Sequence, residues 1–62
     1  MQPMEQFDPD RPCRVHDRVN DRTFVWRPSW ASDWQRHARI QDDGTVEFDG
    51  LILDGWEPFA AS

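Results

Sequence analysis

The sequence predicts a mainly β domain, a small antiparallel meander or partly closed barrel of about five short strands. Three observations carry this. First, three Asp-Gly pairs, Asp43-Gly44, Asp49-Gly50 and Asp54-Gly55, separate short apolar segments. Gly accepts positive φ and Asp closes its own turn through its side chain, so such pairs favour tight hairpins. Second, apolar and polar residues alternate from Cys13 onward, the period of a half-buried strand. Third, the short strands follow one another without crossover helices between them, which favours antiparallel pairing.

Residues 1–12 hold Pro3, Pro9 and Pro12 with few apolar groups and read as a flexible arm. Met4 and Phe7 are its two candidates for packing, on the domain or on a partner. The domain proper is assigned to residues 13–59, and residues 60–62 are expected to fray. In the first strand Cys13, Val15 and Val19 share one face, with Asp17 out of pattern, while Arg14, His16 and Arg18 share the other. Asn20-Asp21-Arg22 reads as a turn. Residues 23–27, rich in strand formers, complete a first hairpin.

Pro28 ends that hairpin. A short helical turn is expected near 29–33, followed by a strand over 35–41 that sets Ile40 opposite Val46 across the Asp42-Asp43-Gly44 turn. The alternative is an α+β arrangement with a helix at 29–40. Pro28 and Ser29 would open that helix, and Ser32 to Gln35 has the spacing of a capping box. Trp30, Trp34 and Ala38 would line one face, with Arg36 and Arg39 at the negative end of the helix dipole. Val46 and Phe48 share a face of the next strand. Leu51-Ile52-Leu53 is apolar throughout and is expected to be covered on both sides. Residues 55–59 are expected to turn back.

A chain this short hides only about 60% of the surface its unfolded form exposes. Its bulk therefore lies in four Trp and four Phe, each large ring burying about 150–250 Å². A deep substrate cavity is hard to build at this size, which points away from an enzyme. The single Cys13 has no internal disulfide partner, which favours a reducing, cytoplasmic setting. No secretory signal is visible, and the longest wholly apolar run is Leu51-Ile52-Leu53, so no membrane span is expected.

The net charge of −5 is unevenly distributed. All seven basic residues, every one an Arg, fall between Arg11 and Arg39, and six acids with no base follow Ile40. The basic middle and acidic end are expected to neutralise one another within one small fold. Cys13, His16 and His37 are too few for a closed zinc site, which wants four strong ligands. Cys13 and His16 would face opposite sides of a strand, which disfavours a nucleophile–base pair. The aspartates beside Gly lack the alternate spacing of a calcium loop, and turn formation accounts for them. Nothing indicates a cofactor.

The expected function is a small non-catalytic module that binds a protein partner, because Trp and Arg are enriched at interface hot spots. Trp30 and Trp56 are the expected exposed anchors, with Arg27, Arg36 and Arg39 beside them. Asp42, Asp43, Glu47, Asp49, Asp54 and Glu57 would form an acidic rim facing a basic surface. One alternative is single-stranded nucleic acid or carbohydrate stacked on Trp, although a pI near 4.6 disfavours nucleic acid. A second is a small thiol-dependent enzyme or accessory subunit built on Cys13. Self-association into a homo-oligomer is compatible with all of these.

Overall fold

In the computed structural model, which describes residues 1–59, five antiparallel strands form one open sheet in the order β2-β1-β5-β4-β3. They are β1 (Cys13–Asp17), β2 (Arg22–Trp26), β3 (Arg39–Ile40), β4 (Val46–Phe48) and β5 (Leu51–Pro58). The mainly β class expected from the sequence is therefore met, with the sheet open and not closed into a barrel. The β1–β2 hairpin and the β3–β4–β5 meander are joined where β5 pairs with β1. The expected fraying of 60–62 lies outside the described residues.

Strand alternation sorts the side chains as the pleat requires. Cys13, Val15 and Asp17 point inward, and Phe24, Trp26, Val46, Phe48, Leu53 and Trp56 share that face by register. Arg14 and His16 point outward. Outward rows pair opposite charges across strands: Arg14 stands opposite Glu57, and Arg39 opposite Glu47. Contact between the basic middle and the acidic end is made at Arg18, which reaches Asp43 and Asp54 at 3.5 Å each.

Residues 28–37 are helical, a 3₁₀ turn Pro28–Trp30 running into α1 (Ala31–His37). This corrects the strand expected over 35–41, which shrinks to Arg39–Ile40, and favours the periodicity of the helical alternative. The reason is tertiary. In the helix Trp30, Trp34 and Ala38 fall on one side, and all three pack on the core. Pro28 at the first helical position is preset for it, whereas Ser32 provides no cap. Ile40 does stand opposite Val46, yet it is 83% exposed on the short edge strand.

Two of the three Asp-Gly pairs make turns. Asp49 (φ 52°) and Gly50 (φ 78°) are the two-residue loop between Phe48 and Leu51, the left-handed pair that matches strand twist. Gly44 (φ 88°) closes the β3–β4 turn, with Thr45 donating backbone and hydroxyl hydrogens to Asp43 at 3.0 and 2.7 Å. Asp54-Gly55 is not a turn, and residues 55–59 do not fold back. Instead β5 runs through to Pro58, and the pairing with β1 slips between His16 and Asp17, leaving Asp54 as the extra residue of a bulge. Val19 likewise leaves the β1 face, since the strand stops at Asp17 and Val19 lies exposed in the turn.

The N-terminal segment narrows the space over Gly55. β4 covers its edge of β5 only as far as Leu53. Beyond that Gln2 takes over, exchanging backbone hydrogen bonds with Trp56 at 2.7 and 3.1 Å. Met1 is drawn so close that a Cβ on Gly55 would lie 3.1 Å from the Met1 Cβ. Met4 is buried, and Phe7 stacks within 5.1 Å of Trp26 and 4.9 Å of Trp34. Of the two placements considered for Met4 and Phe7, both occupy the domain.

Two outcomes are expected from glycine substitutions. Gly50→Ala should lower unfolding stability in urea by about 1 kcal/mol, the cost of a left-handed Ala. Gly55→Val should speed amide exchange at Gln2 and Trp56 while leaving the β1–β2 ladder protected, because the branched side chain enters the space held by Met1.

Candidate functional site

The apolar side of the sheet is an aromatic cluster with Trp26 at its centre. Trp26 is fully buried and lies 5.1–5.4 Å from Phe7, Trp30, Trp34 and Phe48, several at near-perpendicular angles. Edge-to-face contact is the favourable arrangement of ring quadrupoles. The indole N–H of Trp26 donates to the Pro9 carbonyl at 2.9 Å, and that of Trp56 donates to the Pro3 carbonyl at 3.0 Å. Both polar edges are therefore tied to the N-terminal segment. Trp56 is thus a half-buried clamp on that segment and not the exposed anchor expected from sequence.

Trp30 is also half-buried, but it differs in one respect: it borders an open groove of about 750 Å³. Phe24, Trp26, Trp30, Phe48 and Leu51 line the apolar part. Arg22, Asp33, His37 and Asp49 stand around it, with Asp33 and His37 one turn apart on α1. None of these four is in an ion pair with another described residue. The groove lies between α1 and the tip of the β4–β5 hairpin, which extends past the end of β1 where Asp17 pairs with Leu53. Phe24, Leu51 and Asp33 gave no separate signal in the sequence, where each reads as an ordinary strand or helix residue.

Arg27, Arg36 and Arg39 are exposed. They are carried by the link after β2, by α1 and by β3, and none of them borders the groove. The six acids expected as one rim are dispersed. Asp49 borders the groove, Asp42 lies in the β3–β4 turn, and Glu47 and Glu57 face outward opposite Arg39 and Arg14. Asp43 and Asp54 meet at Arg18, each with an oxygen 3.5 Å from its guanidinium.

Asp17, which broke the strand pattern in the sequence, is fully buried. It receives the Val19 amide at 3.0 Å and the Asn20 side-chain amide at 2.7 Å, and so holds the β1–β2 turn. Burial opposes its charge. Donation from the Asn20 side chain and from the backbone of Val19, Ile52 and Asn20 outweighs that cost and keeps its carboxyl below the ordinary value of 3.8. The side-chain and backbone donors of Thr45, more than the nearby Arg18, hold Asp43 below the same value.

Cys13 is buried beneath the sheet, and its side chain lies on the face opposite His16. Burial first, and the charge of Asp8 second, push its thiol above the ordinary 9.0. Among the described residues no three His, Cys, Asp or Glu side chains are arranged to hold a metal ion. No described helix is long and apolar enough to cross a membrane. Comparisons with protein-family models, with curated proteins and with solved structures return no match.

The two depressed carboxyls predict an acid response. A group whose folded value lies below its unfolded value contributes stability that is present above about 3.8 and is lost as pH falls through the folded value. Unfolding midpoints in urea should therefore fall as pH drops below about 4. Asp17→Asn should flatten that fall, because it removes one of the two groups that must be protonated.

Proposed function

We propose that the protein is a small non-catalytic binding module that engages a protein partner through the aromatic groove. The supporting observation is the groove itself: an open, mainly apolar depression of about 750 Å³ beside the packed aromatic cluster. Binding pockets of this order are lined by apolar rings with a few polar groups at the margin. Trp30, held by Phe24 at 6.4 Å and Trp26 at 5.2 Å, presents a rigid surface at little entropic cost. Asp33 and Asp49 outnumber Arg22 at the margin. The groove accordingly suits an apolar side chain followed by a Lys or Arg.

The stacking of nucleotides or sugars has less support. It needs a flat ring face open to solvent, and all four Trp are half-buried or buried within the cluster. A thiol-dependent reaction is disfavoured by the burial and raised pKa of Cys13. The cytoplasmic assignment rests on that same unpaired thiol and is part of the proposal.

The groove is tested with immobilised wild type, Trp30→Ala and Ile40→Ser, the last altering an exposed apolar residue away from it. The expected result is one partner retained by wild type and Ile40→Ser, with affinity for Trp30→Ala reduced about 30-fold, the scale of a hot-spot loss. Equal retention by a folded Trp30→Ala, or loss with Ile40→Ser alone, would overturn the groove reading. Recovery of only the chain itself would assign the surface to self-association.

A further inference from the structure

His16 stands on the outward face of β1 between two carboxylates. Its Nδ1 lies 2.6 Å from Asp54 Oδ1, and its Nε2 lies 3.2 Å from Asp21 Oδ1. A neutral imidazole carries one N–H and one lone pair, whereas an ionised carboxylate only accepts. A neutral ring could therefore satisfy one of these neighbours and would turn a lone pair toward the other. Only the imidazolium donates to both. The two carboxylates come from separate parts of the chain, Asp54 from the β5 bulge and Asp21 from the β1–β2 turn.

We propose that His16 is a proton-operated clasp that fastens the β1–β2 turn to the bulge of β5. With the proton bound, Nδ1–H holds Asp54 and Nε2–H holds Asp21. When the proton leaves, the remaining N–H stays with Asp54, whose contact is shorter and whose side chain is only 25% exposed. Asp21, 93% exposed and farther away, then faces a lone pair and is released. The 18–21 turn is freed at that end, and its next residue is Arg22 at the margin of the groove. The clasp is argued from these contacts alone and stands whether or not the groove binds a partner.

The surrounding charges are consistent with this order of release. Arg18 reaches Asp54 Oδ2 at 3.5 Å and Asp43 at 3.5 Å, so Asp54 keeps a cation beside it when His16 is neutral. Glu5 and Asp42 lie around the adjoining hollow with Arg18, Asp43 and Asp54. The strand partners of His16 are uncharged, Thr23 in β2 and Gly55 in β5, and Met1 packs on Gly55. Hydrogen bonding to Asp54, then to Asp21, outweighs the opposing effect of burial and raises the His16 pKa above 6.5. The sign follows: the clasp is fully closed below about 6.5 and opens as pH rises through the raised folded value.

The test is an NMR titration of the full chain that follows the His16 ring and the backbone amides of Val19, Asn20 and Asp21. The expected result is a His16 midpoint above the ordinary histidine value, with a step at the same midpoint in the turn amides. Asp21→Asn is suited to the comparison because Asn tolerates the left-handed φ of 50° found there. It should abolish the step at Val19 and Asn20 and leave His16 still shifted upward by Asp54. Asp54→Asn should bring the midpoint down further than Asp21→Asn does. A His16 midpoint at or below about 6.5, turn amides that ignore it, or a step that survives Asp21→Asn would each overturn the clasp.

Discussion

The burial of Trp26 is the constraint on which the remaining structure depends. One indole, at the end of β2, is in contact with rings from the N-terminal segment, the helical segment and β4. In a chain too short for a layered aliphatic core, that single residue performs the task usually shared by many. Its N–H fixes the rest of the geometry. A buried indole donor left unpaired would cost roughly 1–3 kcal/mol, and the donor that avoids this cost points at the Pro9 carbonyl. The segment before β1 is thereby drawn over the cluster, bringing Phe7 with it.

The same economy governs the edges. An open sheet leaves unpaired backbone groups that invite association. The exposed stretch of β5 beyond β4 is closed by Gln2, β3 is only two residues long, and the outer strand β2 begins with the charged Arg22. Polar side chains hold the turns in place of apolar packing. Asp17 closes the β1–β2 turn from within, and Asp43 closes the β3–β4 turn with Thr45. Arg18 joins the second turn to the bulge, an exposed interaction of small energetic weight that sets direction more than stability.

The two ends of this arrangement have different chemistry. The groove proposed for recognition is mainly apolar, with an acidic bias at its margin. The His16 cluster is polar and, with the neighbouring Arg18–Asp54 contact, joins the β1–β2 turn to the bulge of β5. The β1–β2 turn lies between them, because Asp21 belongs to the cluster and Arg22 to the groove. A change in protonation and a change in recognition would thus act on neighbouring residues of one short turn.

The sequence by itself determined the β class, the first hairpin, the Asp49-Gly50 loop and the pairing of Ile40 with Val46. These rest on local rules, the period of two and the positive φ that Asp-Gly accepts. Only the tertiary structure decided the rest. Residues 35–37 are locally compatible with strand or helix, and the helix prevails because it sets Trp30 and Trp34 against Trp26. Asp54-Gly55 has the same composition as the pairs that turn, yet it lies in a strand between β1 and the N-terminal segment, and becomes a bulge there. Asp17 looked like an error in an apolar face because its partners lie in the turn and across in β5. The groove and the His16 bridge were illegible for the same reason: Phe24 and Leu51, or His16 and Asp54, are brought together by strand order, and no local pattern records it.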